Sequence, residues 1–288
     1  MANIPQVTLK DGKTIPAVGY GLYKVTGEEC MACVTAALGA GYRHFDSASF
    51  YQNEEAVGAA LEAAAVPREE LFITTKVWND CAGYEEAQKS VRRSVAALKC
   101  GYADLVLVHW PHPGHGETYR ALEDLVDEGL IKSVGLSNYT EEDYTELRKT
   151  LRIEPVVNQI EVNPLLYRKE EIEYFQGEGI VVQAYKPLRR GAALESAEIA
   201  GIAEKHGVTP AQVCLRWGLQ HDLVILPKTS TPARMPQNLD VFGFEIDAED
   251  MAFLDGLTDA ATVENWASHL IERRNQDLGA YVTRPRED

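Results

Sequence analysis

F-I-T-T-K-V-W-N at residues 72–79 and L-V-L-V-H-W-P at 105–111 each run from an apolar stretch into a polar side chain, Lys76 and His109. F-D-S-A-S-F-Y-Q-N-E at 45–54 places Asp46 at the end of such a run and Tyr51 five residues later. A short apolar run that ends in a polar residue reads as a buried parallel strand reaching its carboxyl end. In an α/β protein that end is where sites assemble. A carboxylate, a phenol, an ammonium and an imidazole gathered there form a proton-transfer set. The ammonium lowers the phenol pKa, the carboxylate holds the ammonium, and the imidazole orients a carbonyl oxygen. Taken singly, a strand-end Asp is a helix cap or ion-pair partner, and a lone Tyr or His a satisfied half-buried residue. Four at the ends of different strands outweigh those readings.

Working outward, strand-like runs fall at 17–20, 42–46, 71–76, 104–109, 133–137, 156–159, 180–185 and 224–227. Helix-like stretches at 27–38, 54–64, 84–100, 116–128, 141–150, 169–176, 196–206 and 210–220 lie between them. Several stop at a glycine that closes a helix in the left-handed conformation: Gly39 and Gly41, then Gly101, Gly129, Gly177 and Gly207. Strict alternation implies parallel strands with right-handed crossovers. Eight such units predict a (β/α)8 TIM barrel, closed by an N-terminal hairpin with a primed turn at Asp11-Gly12. A doubly wound sheet is the runner-up, but Gly19-Tyr20-Gly21 lacks the third glycine of a dinucleotide fingerprint and reads as a turn. No linker divides the chain, so residues 1–288 read as one domain.

Of 288 residues, 45% are hydrophobic and 25% charged, ordinary usage for a globular protein with a sizeable core. The net charge of −16 argues against nucleic acid or an anionic membrane as partner. Neither a leader, a bilayer-length apolar run nor a targeting tail is apparent, so a cytoplasmic protein is expected. Cys30 and Cys33 have C-x-x-C spacing but sit in an amphipathic helix, as ordinary residues of a reducing compartment. His112 and His115 follow His109 without a second ligand cluster, so a polar loop is expected and no metal.

At these residues the chain resembles the aldo-keto reductases. The resemblance rests on G-Y-R-H-F-D-S-A at 41–48, Tyr51-Gln-Asn-Glu54, Lys76, L-V-H-W-P around His109, G-L-S-N at 135–138, V-N-Q-I-E at 157–161 and L-P-K-T at 226–229. These run in order from about residue 6 to about residue 257, and look closest to small microbial members such as 2,5-diketogluconate reductases and prostaglandin F synthase-like enzymes. The resemblance implies NADPH-dependent carbonyl reduction by a monomer on a small-molecule substrate. Tyr51 would be the general acid, Asp46 and Lys76 would tune it, and His109 would orient the carbonyl. A carbonyl that accepts a hydride gains negative charge on oxygen, which must be stabilised and then protonated.

The resemblance also implies a cofactor site. Ser137, Asn138 and Gln159 match residues on the nicotinamide carboxamide, and Tyr185 matches the stacking aromatic, with plain rim packing as its other reading. Thr231-Pro232 reads as a helix cap and first helical position. Lys228, Thr229 and Arg234 beside that helix start suit a 2′-phosphate, against the reading of a solvated charge pair, and Asn238 matches an adenine contact. Gln237 stands where many members have Glu, and Pro236 falls early in the helix. Lys186 replaces a small residue; with Arg189 and Arg190 it either reaches the pyrophosphate or faces water. Tyr23, Phe50, Trp78 and Trp110 match pocket positions and suit small to medium aldehydes and ketones, each having core or rim packing as its alternative. The tail after about residue 259 resembles no motif of the family, and leaves Trp266 and His269 as open pocket candidates. Two other classes compete: a non-catalytic NADPH-binding redox-sensing or regulatory subunit, and metal-dependent hydrolysis, disfavoured for want of a His/Asp cluster at the strand ends.

Overall fold

The computed structural model describes residues 4–274. Gln6–Thr8 (β1) and Thr14–Pro16 (β2) pair antiparallel, with Val7 opposite Ile15. The turn between them differs from the expected primed type. Only Gly12 has positive φ (82°), whereas a primed turn needs it at the central residues Lys10 and Asp11.

Eight strands follow in parallel and in sequential order: β3 (Tyr20–Gly21), β4 (His44–Asp46), β5 (Phe72–Val77), β6 (Ala103–Val108), β7 (Ile131–Ser137), β8 (Val157–Glu161), β9 (Val181–Tyr185) and β10 (Val224–Leu226). The last strand bonds back to the first: Ile225 N–H donates to Ala17 O (2.9 Å), Gly19 N–H to Ile225 O (2.9 Å) and Gly21 N–H to Pro227 O (3.1 Å). The sheet is therefore a closed barrel. Gly19-Tyr20-Gly21 belongs to this first staving and is no turn. A Cβ on Gly19 would lie 2.6 Å from both His44 Nδ1 and Leu226 Cδ2, so side-chain volume is excluded there.

Helices α1 (Gly27–Ala40), α2 (Glu54–Ala63), α3 (Tyr84–Ala97), α4 (His115–Asp127), α5 (Glu141–Leu147) and α6 (Lys169–Gly177) each follow a strand. Two, α7 (Ala197–His206) and α8 (Pro210–Gln220), separate β9 from β10; α9 (Arg234–Leu239), α10 (Ala248–Asp255) and α11 (Ala260–Arg274) close the described chain. Helix α8 starts where its sequence dictates: Thr209 and Gln212 form a capping box, with Pro210 in the first turn. Gly41, Gly101, Gly129 and Gly207 are left-handed as expected, but Gly39 remains helical inside α1, and after α6 the left-handed residue is Gly179 (φ 73°), Gly177 remaining helical.

Strand alternation sorts the core into two. Val106, Val108, Leu136, Ile160, Val182 and Ile225 face the helices in one large cluster. Leu105, Leu107, Val157 and Val224 fill the barrel floor with Leu9 and Ile15 of the hairpin, which plugs that end. Each such side chain contributes about 1.5–3 kcal/mol by leaving water. Polar residues occupy the other, carboxyl end of the interior. No helix among the described residues is long and apolar enough to cross a membrane.

Candidate active site

Asp46 and Lys76 meet because of the register. Asp46 pairs with Thr74 across β4–β5, so Lys76, two residues on, shares its inward face one step higher. Lys76 in turn pairs with Leu107, and His109 lies two residues past it. Lys76 Nζ donates to Asp46 Oδ1 (2.6 Å), Ser47 O (2.8 Å) and Tyr51 Oη (3.3 Å). The other Asp46 oxygen accepts from Gln159 Nε2 (2.8 Å), which also donates to Gln183 Oε1 (2.6 Å). Tyr51 returns over the mouth on the 3₁₀ turn Ser49–Tyr51, closed by Gln52 at φ 51°. Asn53 fastens that loop, donating to Leu22 O (2.9 Å) and Val25 O (2.8 Å) and accepting from Ser47 Oγ (3.0 Å).

The electrostatics differ from the expected lowering of the phenol pKa. Burial, then the Asp46 carboxylate, push Tyr51 well above its ordinary value. Lys76 gives its shorter bond to Asp46 (2.6 Å) and its longer one to Tyr51 (3.3 Å). Burial also lowers Lys76, against the pull of Asp46. His109 is held well below the ordinary imidazole value by burial, then by Lys76 and Arg273, so it is neutral at pH 7. The resting centre thus holds a protonated phenol beside a neutral imidazole. His109 Nδ1 is buried without a hydrogen-bond partner among the described residues.

A cavity of about 910 Å³ opens above this centre. On one side lie Ser137, Asn138, Gln159 and Tyr185. Tyr185 Oη donates to Asn138 Oδ1 (2.7 Å), Asn138 Nδ2 to His109 O (3.0 Å), and Ser137 Oγ to Gln159 O (3.0 Å). Further along lie Lys228, Thr229 and Arg234. In a chain of net charge −16, neither Lys228 nor Arg234 forms an ion pair among the described residues, and Lys24 and Arg190 on the same rim form none either. Four cations without carboxylate partners around one cavity suit a polyanionic ligand such as a dinucleotide phosphate. On the opposite side Phe50 stacks on Trp78 (4.0 Å), which lies edge-on to His109 (4.8 Å). Tyr23 and Trp110 complete that wall.

The sequence pattern of the Aldo/keto reductase family matches residues 17–259. The chain belongs to that family. Glyoxal reductase of Bacillus subtilis is 43% identical over 253 residues, covering 87% of this chain and 92% of the relative. An aldo/keto reductase from Brucella melitensis has the same fold (TM-score 0.85, 39% identity, 88% of this chain, 100% of that one). So does an aldo-keto reductase of Bombyx mori solved in complex with NADP (TM-score 0.85, 31% identity, 92% and 98%).

In this aldo-keto reductase every proposed catalytic and pocket position lines or abuts the cavity, with one exception on the cofactor side. Asn238 is buried on α9 (4% exposed) and is not in the cavity wall. Helix α9 starts at Arg234, after a turn in which Arg234 N–H donates to Thr231 O, so Thr231 is no cap. Thr229 Oγ1 instead accepts from Thr231 N–H (3.1 Å), which leaves its hydroxyl hydrogen to donate elsewhere. Pro236 sits in the first turn, where its missing N–H is tolerated. Of the doubtful cations, Lys186 is paired with Glu161 (2.6 Å), Arg189 donates to Leu165 O (3.0 Å) and Thr262 Oγ1 (3.1 Å), and Arg190 is exposed on the rim.

Sequence reasoning missed two sets of residues. One is the support beneath the centre: Asn53, Gln183, and Glu54, whose carboxylate accepts from Thr75 Oγ1 (2.6 Å) and Ser94 Oγ (2.8 Å). The other is on α11, where Thr262, Asn265 and Arg273 join Trp266 and His269 in the cavity wall. Their spacing of three, four, seven and eleven residues marks one helix face, a signal readable in the sequence. His112 and His115 are bonded to Thr118 (3.4 Å) and Tyr139 (2.9 Å). A His206, Asp247 and Asp250 group lies on α7 and around the start of α10, with Lys205 Nζ bonding both carboxylates (2.7 and 2.8 Å).

Proposed function

We propose that this chain is an NADPH-dependent reductase of aldehydes and ketones in which Tyr51 is the general acid, Lys76 and Asp46 tune it, and His109 orients the carbonyl. The observation that carries this reading is the linked set Asp46–Lys76–Tyr51, at 2.6 and 3.3 Å, beneath a cavity walled by aromatics on one side and amides and cations on the other. When bound, NADPH supplies the hydride. Ser137, Asn138 and Gln159 would hold its carboxamide, Tyr185 the ring face, Lys228, Thr229 and Arg234 the 2′-phosphate, and Asn238 the adenine.

The residues' own work follows from their protonation. Neutral His109 donates to the carbonyl oxygen, which fixes the carbonyl beneath Tyr51. As negative charge grows on that oxygen, the Tyr51 proton passes to it, and the phenolate left behind faces the Lys76 ammonium. A phenol raised by burial stays protonated through neutral pH, which suits a donor, while its high resting pKa means Lys76 acts on the phenolate as it forms. Burial among aromatics excludes water and strengthens these charges. The same proposal takes residues 1–288 to be one domain and the protein to be a cytoplasmic monomer acting on small molecules, on the sequence grounds given above.

The test is NADPH oxidation by purified protein across aldehydes, ketones, sugars and quinones, repeated with Tyr51→Phe. Turnover that falls by ~10²–10⁴-fold in the variant, with NADPH binding retained, supports the assignment. Near-normal turnover in the variant refutes the role of Tyr51. No turnover by wild type despite NADPH binding would replace the reading with that of a regulatory subunit.

A further inference from the structure

Around the Asp46–Lys76 pair the barrel interior holds a further line of polar side chains, all buried: His44 on β4, Gln159 on β8 and Gln183 on β9. The register brings them together. Gln159 and Gln183 are directly paired across β8–β9, so their amides lie side by side on the inward face. His44 lies two residues before Asp46 on β4 and shares its face. Gln159 Nε2 donates to Asp46 Oδ2 (2.8 Å) and Gln183 Oε1 (2.6 Å), and Gln183 Nε2 lies 3.5 Å from His44 Nε2. His44 Nδ1 lies 3.4 Å from Pro16 O.

Hydrogen-bond chemistry allows this line one orientation. Asp46 accepts from the Lys76 ammonium through Oδ1, and a carboxylate only accepts, so the nitrogen of the Gln159 amide faces Oδ2. Gln183 then presents its oxygen to Gln159 and its own nitrogen to His44. His44 accordingly offers a bare Nε2 and carries its proton on Nδ1, toward Pro16 O. Burial keeps that ring neutral at pH 7, as the arrangement requires. Both hydrogens of the Gln159 amide are thus engaged inside the barrel, at Asp46 and Gln183. Its Oε1 accepts no hydrogen bond among the described residues, and Gln159 lines the cavity. One bond to Asp46 would leave the amide free to swing about its broad terminal torsion; the second bond, to Gln183, removes that freedom.

We propose that Gln183 is a positioning residue for the cofactor: by accepting from Gln159 it holds the Gln159 amide oxygen toward the cavity, where that oxygen accepts from the N–H2 of a nicotinamide carboxamide. The inference rests on the reductase reading above and adds the residue that fixes one of its carboxamide contacts. The consequence is selective. A ring substituent with an N–H donor is favoured, and one that keeps the carbonyl but carries a methyl in place of the amide nitrogen loses the contact. The phosphate end of the proposed site, at Lys228 and Arg234, is no part of this line.

The experiment measures dissociation constants by quenching of tryptophan fluorescence for NADP+, its 3-acetylpyridine analogue, and adenosine 2′,5′-bisphosphate, which lacks the nicotinamide. Wild type should bind NADP+ about three- to tenfold more tightly than the analogue, the range set by one hydrogen bond. Gln183→Met keeps the length of the side chain without its acceptor. It should bring that ratio to about one while adenosine 2′,5′-bisphosphate binds as in wild type. Gln183→Glu keeps an oxygen toward Gln159 and should keep most of the ratio. The ratio is the readout because a merely structural role would weaken all three ligands alike. A wild type indifferent to NADP+ and its analogue overturns the inference while leaving the reductase reading intact. So does a Gln183→Met variant that keeps the ratio or also loses adenosine 2′,5′-bisphosphate, or a Gln183→Glu variant that loses the ratio as fully as Gln183→Met. Failure of wild type to bind NADP+ at all would sink both.

Discussion

Lys76→Met tests the centre most sharply because it separates stability from chemistry. The Lys76 and Asp46 side chains are 0% and 4% exposed and 2.6 Å apart. Met keeps the length of Lys but removes the ammonium, leaving Asp46 with the Gln159 amide and no charged partner. Breaking a buried pair costs about 3–5 kcal/mol. The variant should therefore lose about 3–5 kcal/mol at pH 7. The double variant Asp46→Asn/Lys76→Met removes both charges and keeps an acceptor for Gln159. It should recover to within ~1 kcal/mol of wild type yet remain inactive, since no charge faces the Tyr51 phenolate. Urea unfolding followed by tryptophan fluorescence at pH 7, beside turnover assays, reads all three proteins. An unchanged Lys76→Met midpoint, or a double variant as unstable as the single one, refutes the argument; an active double variant refutes the role of Lys76.

Two further outcomes follow. Arg234→Ala should weaken NADPH binding by at least about tenfold while leaving NADH nearly unchanged, because a hydrogen bond to a charged group contributes ~1.5–3 kcal/mol and the 2′-phosphate alone distinguishes the cofactors. Equal losses by fluorescence titration would mean that Arg234 supports the fold. His44, fully buried on the barrel interior, is lowered to about 4 from 6.5 by burial, against opposing pulls from Asp46 and Pro16 O. Its neutral form contributes stability that is fully present above pH 6.5 and is lost as pH falls through about 4, amounting to ~3 kcal/mol. The acid limb of the unfolding profile should be shallower in His44→Gln, and superimposable limbs would count against it.

The alternating pattern specified parallel strands with helices outside them, with inward and outward faces set by the pleat. Eight such units without a dinucleotide fingerprint favoured the closed barrel over a doubly wound sheet. Asp46, Lys76 and His109 were legible for the same reason: each ends such a run on the face that carries no helix. Their mutual distances were not. Gln159 Nε2 reaches Asp46 across 113 residues of chain, and only barrel closure through Ala17 and Ile225 brings β8 opposite β4. The direction of the Tyr51 shift was also a tertiary decision. Sequence lists an ammonium near a phenol, but burial and then the Asp46 carboxylate raise the phenol. Asn238 reads as a ligand residue in its motif and is turned inward by where α9 begins. Arg273 lies past every motif, on a helix whose one-sided spacing was visible but whose target was not. Local spacing determines which side chains share a face, because backbone geometry repeats; what that face meets depends on long-range packing, which no local pattern encodes.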